Sequence, residues 1–303
     1  MATAPIVPVV RGLWREHEPL ALHTTWRVGG PADRYFEPAD RADLLGFLRA
    51  VPPAEPLLWL GLGSNVLVRD GGFRGTVIAL HGALNAIAAA GPHEIYAEAG
   101  AHCARLAKLA QTQRRAGLGF LAGIPGTVGG ALAMNAGAWG GETWERVIAV
   151  EVALRGGRSE WLSPTAFHVG YRQVTPPTGV IGYLAARFRV DEDLDGRHAQ
   201  ATREWLAQRK QSQPVGKPSA GSTFRNPPGD FAARLIESCG LKGLRIGGAQ
   251  VSDKHANFIV TEAGASAADV EALIREVRLR VEQVAGVSLM PEVRIVGEPK
   301  EVR

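Results

Sequence analysis

At 303 residues the chain is long enough for two domains and a sizeable core, and 46% hydrophobic with 21% charged residues are ordinary globular values. A net charge of +4 excludes a purely electrostatic nucleic-acid binder while leaving arginines available to anionic small molecules. Two isolated cysteines, Cys103 and Cys239, form neither a disulfide framework nor a metal-ligand set, and read as core thiols in a reducing compartment.

The opening stretch MATAPIVPVVRGLWREHE has no leading basic residue and its apolar run is broken by prolines. It lacks the form of a signal peptide, so a cytoplasmic protein is expected. RADLLGFLRA (41–50) predicts a short helix. PLLWLG (56–61), GTVIAL (75–80), EIYAEAGA (94–101), RVIAVEVAL (146–154) and VIGYLAARFRV (180–190) predict strands, each bounded by glycine-bearing turns. CARLAKLAQTQRRAG (103–117) predicts a helix with Leu106, Ala107 and Ala110 on one face and Gly117 as its stop. From Asp191 the chain becomes highly charged, and 191–213 reads as a linker helix. Beyond it come a loop (214–230), a helix at 231–241, a strand NFIVT (257–261) and a closing strand in LMPEVRIVG. The helix at 267–285 carries Val270, Leu273, Ile274, Val277, Val281 and Val284 on one stripe, with Ser266 and Asp269 in capping-box spacing.

The longest uncharged run, Ala116 to Gly141, spans 26 residues and is long enough to cross a bilayer. Nine of those residues are Gly, and Pro125, Thr127 and Asn135 interrupt the rest. Gly costs a helix about 1 kcal/mol per position relative to Ala and Pro about 3 kcal/mol. Such a run leaves too little apolar side chain for insertion, so no membrane association is expected and the segment reads as glycine-rich backbone in a soluble protein.

Three glycine-bearing elements carry candidate chemistry. GLGSNVLVRDGG (61–72) offers Gly61, Gly63, Ser64 and Asn65 after a strand, donors suited to a diphosphate. It lacks the third glycine and the following helix of a dinucleotide fingerprint, and on its own it reads first as a tight turn before the strand NVLV. GIPGTVGGALAMNAGAWGGE (123–142) lets a flat ligand or a phosphate meet the main chain at Gly126, Thr127, Gly129 and Gly130, or is a packed turn. HTTWRVGGPAD (23–33) adds Arg27, a phosphate partner or a surface arginine.

The ordered set TTWRVGGPAD, GLGSNVLVRDGGFRG, GLGFLAGIPGTVGGALAMNAGAWGGE, YR, AGSTFRNPPGDFAARLIESCGLKG, IGGAQVSDKHANFIV and PEVRIVGE resembles the UDP-N-acetylenolpyruvoylglucosamine reductase family over about residues 20–298. The resemblance implies an α+β fold. A vanillyl-alcohol-oxidase/PCMH-type FAD-binding domain at 21–190 (subdomains about 21–80 and 81–190) follows an N-terminal extension, 1–20. After the linker helix, 191–213, a smaller α+β substrate-binding domain occupies 214–303. The chain resembles the short form, without the extra tyrosine loop.

The resemblance further implies non-covalent FAD, NADPH as co-substrate, no metal, small-molecule partners only, and a monomer. It assigns Ser222 as proton donor, with Glu292 and Arg172 as the other two active-site residues. It places Arg27, Gly61, Gly63, Ser64, Asn65, Gly100, Gly123, Gly126, Thr127, Gly129, Gly130, Asn135 and Gly137 toward the cofactor. Tyr171, Lys217 and Asn226 fall toward the substrate. Two other readings stay open on sequence: an oxidase or dehydrogenase of the same FAD superfamily, with flavin tethered through His102 or Cys103, and a UDP-sugar sensor without catalysis. The family commonly places Ser two residues after Tyr-Arg. Here that position is Val174, which puts the local support of Arg172 in question.

Overall fold

The computed structural model describes residues 9–300; residues 1–8 of the expected N-terminal extension and 301–303 at the C-terminus lie outside the described residues. Two compact units emerge. The first comprises the described chain to Glu16, Arg34–Gly61 and Gly75–Leu206; the second comprises His17–Asp33, Leu62–Arg74 and the chain from Ala207 onward.

In the first unit, a five-stranded antiparallel sheet has the order Arg158–Leu162, Val147–Leu154, Val180–Arg189, Glu94–Glu98, Ile87–Gly91. Helix α2 (Cys103–Thr112) and the short α3 (Val128–Met134) bury Leu106, Ala107, Ala131 and Leu132 in a core with Val150, Val152 and Phe188. Leu57–Leu60 runs parallel to Thr76–Ala79. Helix α1 (Arg41–Ala50) starts at Asp40, whose carboxylate accepts from the Asp43 N–H, and packs Leu44, Phe47 and Leu48 with Phe36 and Ile78. Its Arg41 pairs with the buried Glu151 and with Glu98, which fastens α1 to the sheet.

Three elements depart from the sequence expectation. Helix α2 ends at Thr112, not near Gly117, because Arg114 takes a left-handed φ of 52° and Arg115–Ala116 pair with Asp191–Glu192. Within the glycine-rich run, α3 was not expected; Thr127 caps its start and Asn135, left-handed at φ 41°, ends it. Helix α4 (Arg197–Ser212) begins after Gly196, later than 191.

The second unit is built on α6 (Ala267–Ala285), α5 (Ala232–Ser238) and a three-stranded antiparallel sheet, Arg245–Ile246, Ala249–Val251, Ile259–Thr261. The stripe Val270, Leu273, Ile274, Val277 and Val281 is buried as expected, but Val284 is exposed in the last turn before Gly286. Trp26 is buried in this core and donates its indole N–H to the Ile259 carbonyl at 2.8 Å. Val66–Val68 runs parallel to Arg294–Val296. Just past it, the Asp70 carboxylate accepts from the N–H groups of Ala267 and Ala268 at 2.9 and 2.8 Å, and Arg69 grips Glu271 through two nitrogens. The N-terminus of α6 therefore carries two caps, the Ser266/Asp269 box and Asp70.

Asp70→Ala should lower stability by about 1–2 kcal/mol, the usual cost of a lost cap, whereas Asp70→Asn, which keeps an acceptor, should lose less. Thermal melts of the two variants check the order. A pH effect is also expected. The His255 ring, whose Nδ1 accepts from the Asn257 N–H, has its pKa lowered, first by burial and then by the charge of Lys242. Below about pH 6.5, the ordinary imidazole value, the unfolded chain takes up a proton that the folded chain refuses. Stability should fall as pH drops through about 6.5 and level off below the lowered folded value. The melting temperature of His255→Asn, measured from pH 8 to 5, should show a shallower fall.

Candidate active site

In the first unit, the start of α3 is stitched to the start of α2. The Gly126 carbonyl accepts from the Cys103 N–H at 3.0 Å, and the N–H groups of Val128 and Gly129 donate to Ala101 and Ala99, each at 2.8 Å. The Gly130 N–H donates to Thr127 Oγ1. These amides are spent within the protein. A trans peptide holds its C=O and N–H antiparallel, so the Thr127 N–H points away from Cys103. Gly61 is demanded by close approach: a Cβ there would stand 2.5 Å from Thr127 Oγ1. Gly130 is the reverse case, with only Thr127 Oγ1, at 3.8 Å, near where a Cβ would stand. Gly123 closes the turn before this segment, and Gly100 donates to the Leu84 carbonyl at 2.8 Å.

Asn135 is 2% exposed, and its side chain is committed to protein. Nδ2 donates to Glu142 Oε2 at 2.8 Å and to the Gly170 carbonyl at 3.2 Å, while Oδ1 accepts from the Trp144 N–H at 3.1 Å. Arg172 sits at the turn between His168–Gly170 and Gln173–Thr175, with φ 53°. Its guanidinium donates to the carbonyls of Asn135 (3.2 Å) and Gly137 (2.7 Å), lies 3.7 Å from Glu142 Oε1, and stands over the Tyr171 ring. Of the expected residues, Asn135, Gly137, Tyr171 and Arg172 therefore meet in one cluster. Glu142 was missed by sequence reasoning; its only signal was being the first charge after the uncharged run.

In the second unit, the backbone pairs Thr223, the residue after Ser222, with Glu292. The Glu292 N–H donates to the Thr223 carbonyl at 2.8 Å, and the Arg225 N–H donates to Met290 at 2.9 Å. Among the described residues the Ser222 hydroxyl meets no protein partner, and Ser222 is only half-buried. Asn65 joins the same group: its Nδ2 donates to the Glu292 carbonyl at 3.3 Å, and its own carbonyl accepts from the Arg294 N–H at 3.0 Å. Gly63 has φ 62°, and a Cβ there would stand 2.1 Å from the His23 carbonyl oxygen, so only glycine fits. Its carbonyl accepts from the Thr25 N–H at 3.2 Å, which turns the Ser64 N–H the opposite way. Arg27 is exposed in a left-handed turn between buried Trp26 and Val28. Lys217 and Asn226 are exposed, and Asn226 Oδ1 accepts from the Ala232 N–H at the start of α5.

These features fit a flavin held without a covalent bond. Within the first unit, the Thr127 N–H turns away from Cys103 and Gly130 has an open face. Cys103 is fully buried, and burial pushes its thiol up to about 12, which removes it as a tether. Among the described residues no cluster of His, Cys, Asp and Glu is placed to hold a metal ion, and no helix is long and apolar enough to cross a membrane.

Asn135→Gly should lose about 1–3 kcal/mol from the partners it leaves unsatisfied. Asn135→Ala should lose roughly 1 kcal/mol more, because alanine resists the left-handed backbone. Melting curves of both variants test the separation.

The chain is similar to known proteins over nearly its whole length. A family model described as "FAD binding domain" matches residues 32–163, and one described as "UDP-N-acetylenolpyruvoylglucosamine reductase, C-terminal domain" matches residues 213–296. The UDP-N-acetylenolpyruvoylglucosamine reductase of Methylococcus capsulatus is 59% identical, covering 95% of this chain and 94% of its own. The crystal structure of UDP-N-acetylenolpyruvylglucosamine reductase from Thermus caldophilus is similar with a TM-score of 0.80 at 34% identity, over 95% of this chain and 99% of that one. 6-Hydroxy-D-nicotine oxidase from Arthrobacter nicotinovorans, 12% identical with a TM-score of 0.56 over 94% of this chain and 88% of its own, shares the fold alone. The fold is the PCMH-type FAD-binding domain followed by the reductase C-terminal domain. With both domains matched in order and such identity over nearly the whole chain, the protein belongs to the UDP-N-acetylenolpyruvoylglucosamine reductase family of FAD-dependent oxidoreductases.

Proposed function

We propose that the protein reduces the enolpyruvyl ether of UDP-N-acetylglucosamine to UDP-N-acetylmuramate with NADPH, in bacterial peptidoglycan precursor synthesis in the cytoplasm, acting as a monomer. NADPH binds and leaves before the enol ether enters, a ping-pong order. On this reading residues 21–190 serve the cofactor, 191–213 link, and 214–303 serve the substrate. FAD, when bound, supplies the hydride that it has taken from NADPH. Gly61, Thr127 and Gly130, with Gly63, Ser64 and Asn65, hold the cofactor through backbone donors and close approach.

The remaining chemistry falls to side chains. Addition of hydride to the terminal methylene leaves negative charge on the α-carbon and its carboxylate, and such charge needs stabilisation where it develops. Arg172 supplies a permanent positive charge, held by carbonyls of its own unit. Glu292, if protonated, can donate a hydrogen bond to the same enolate. Ser222 delivers its hydroxyl proton to the α-carbon and fixes the lactyl configuration. Serine is a weak acid, so placement must carry much of the rate. Tyr171, Lys217 and Asn226 are the substrate contacts.

The observation that carries the reading is the Ser222 hydroxyl, left without a protein partner among the described residues, one residue from the Thr223 carbonyl that takes the Glu292 N–H at 2.8 Å. Ser222→Ala should still oxidise NADPH and bleach its flavin at close to the wild-type rate. Its turnover of the enol ether should fall by orders of magnitude, about 10²–10⁴-fold for a lost general acid. Stopped-flow absorbance of the two half-reactions decides, and undiminished turnover of the enol ether would refute the assignment.

A further inference from the structure

We propose that Asn257 is a positioning residue for Ser222, acting within the second unit as a side-chain continuation of the sheet. Asn257 is 3% exposed. Its Oδ1 accepts from the Phe224 N–H at 2.9 Å and its Nδ2 donates to the Phe224 carbonyl at 2.8 Å. A carboxamide carries one acceptor and one donor edge like a peptide's, so this pair copies a rung of a β-ladder. The partners fix which way the amide faces, because a backbone N–H only donates and a carbonyl only accepts. The Asn257 main-chain carbonyl adds a third bond, from the Thr223 N–H at 2.8 Å. Three bonds from one residue thus hold residues 223 and 224.

The strand Ile259–Thr261 begins only two residues later, and the Ser252 N–H closes back on the Phe258 carbonyl at 2.8 Å. The side-chain amide carries the pairing on past the strand's start. On the other side of Ser222, Ser219 bridges to Val260 and Ala220 is buried, while Gly221, at φ 75°, has open space where a Cβ would stand. Among the described residues its hydroxyl has no protein partner, so Ser222 is placed by the backbone on its two sides, and residues 223 and 224 are its immediate hold. The same segment presents the Thr223 carbonyl to the Glu292 N–H, so Asn257 sets the spacing of Ser222 and Glu292 together.

The inference rests on Ser222 being the proton donor, and the test separates the two ideas. Asn257→Asp is nearly isosteric but sets an acceptor against the Phe224 carbonyl. Asn257→Ser, with room for a bridging water, serves if the first variant loses flavin. In the flavin-loaded protein, NADPH should bleach the flavin of the variant within about threefold of the wild-type rate. Affinity for the UDP-sugar product, read from the flavin spectrum, should also stay within about threefold. Reoxidation by the enol ether should slow by roughly 10–10²-fold, the usual effect of a small misplacement of a reacting group. Combined with Ser222→Ala, the Asn257 change should add little, because both act through one hydroxyl.

Additive losses, equal slowing of both half-reactions, or loss of flavin by both Asn257 variants would overturn the proposal. An unimpaired Ser222→Ala variant would overturn the donor assignment, and this inference with it.

Discussion

Backbone pairing between residues 99–103 and 126–129 is the constraint on which the first unit depends. This stretch of an uncharged, glycine-rich run has almost no side chain with which to anchor itself. It is held because the Gly126 carbonyl and the N–H groups of Val128 and Gly129 find partners on Cys103, Ala101 and Ala99. A buried peptide group left unpaired costs about as much as a lost hydrogen bond, so the pairing fixes register as well as position. Thr127, caught between these bonds, becomes the cap of α3. One short helix later the chain reaches Asn135, whose left-handed turn presents the carbonyl that Arg172 uses. The place of the arginine is thus inherited from a ladder that begins more than 30 residues earlier.

The second unit repeats the device with different parts. Val66–Val68 lies parallel to Arg294–Val296, and at its two ends the glycine-bearing loop and Asp70 reach different targets. Asn65, at the entry, bonds to the segment carrying Glu292; Arg69 and Asp70, at the exit, take hold of α6. One stretch of six residues therefore links the loop expected to meet a diphosphate, the expected active-site carboxylate and the longest helix. Asn65 shows how a residue chosen for ligand contact can also be structural, since its Nδ2 is drawn toward the Glu292 carbonyl.

The parts of this fold that were legible in the sequence are those governed by side-chain periodicity. Helix α6 appears over the expected residues because its apolar stripe and capping box are local signals. The strands at 147–154 and 180–189 are long apolar runs buried on a shared sheet, and they too fall within a residue of expectation. Helix α3 was illegible because propensity argues against a helix containing two glycines; caps and pairing override that cost. The early end of α2 depends on a pairing with Asp191–Glu192, some 75 residues away, which no local pattern announces. The candidate site divides the same way. Ser222, Glu292 and Arg172 were reached through motif resemblance. Glu142 and Asn257 were not, because their significance lies in which carbonyls and amides they meet.

Val174 shows how a site can absorb a departure from its family's pattern. A serine there could contribute a hydroxyl toward the Tyr-Arg turn. Val174 instead packs against the core of the first unit and pairs across the hairpin with Val169. The position therefore favours burial of methyl groups, and a hydroxyl placed there would need a partner or cost about 1–3 kcal/mol. Arg172 does not depend on that position. Two of its acceptors are main-chain carbonyls, those of Asn135 and Gly137, which no substitution at 174 removes, and Glu142 supplies negative charge 3.7 Å away. A guanidinium presents its donors in a rigid plane, so two fixed carbonyls are enough to orient it. Two of the arginine's supports thus lie in the backbone of the glycine-rich segment, and Asn135, which shapes that backbone, is the residue to watch.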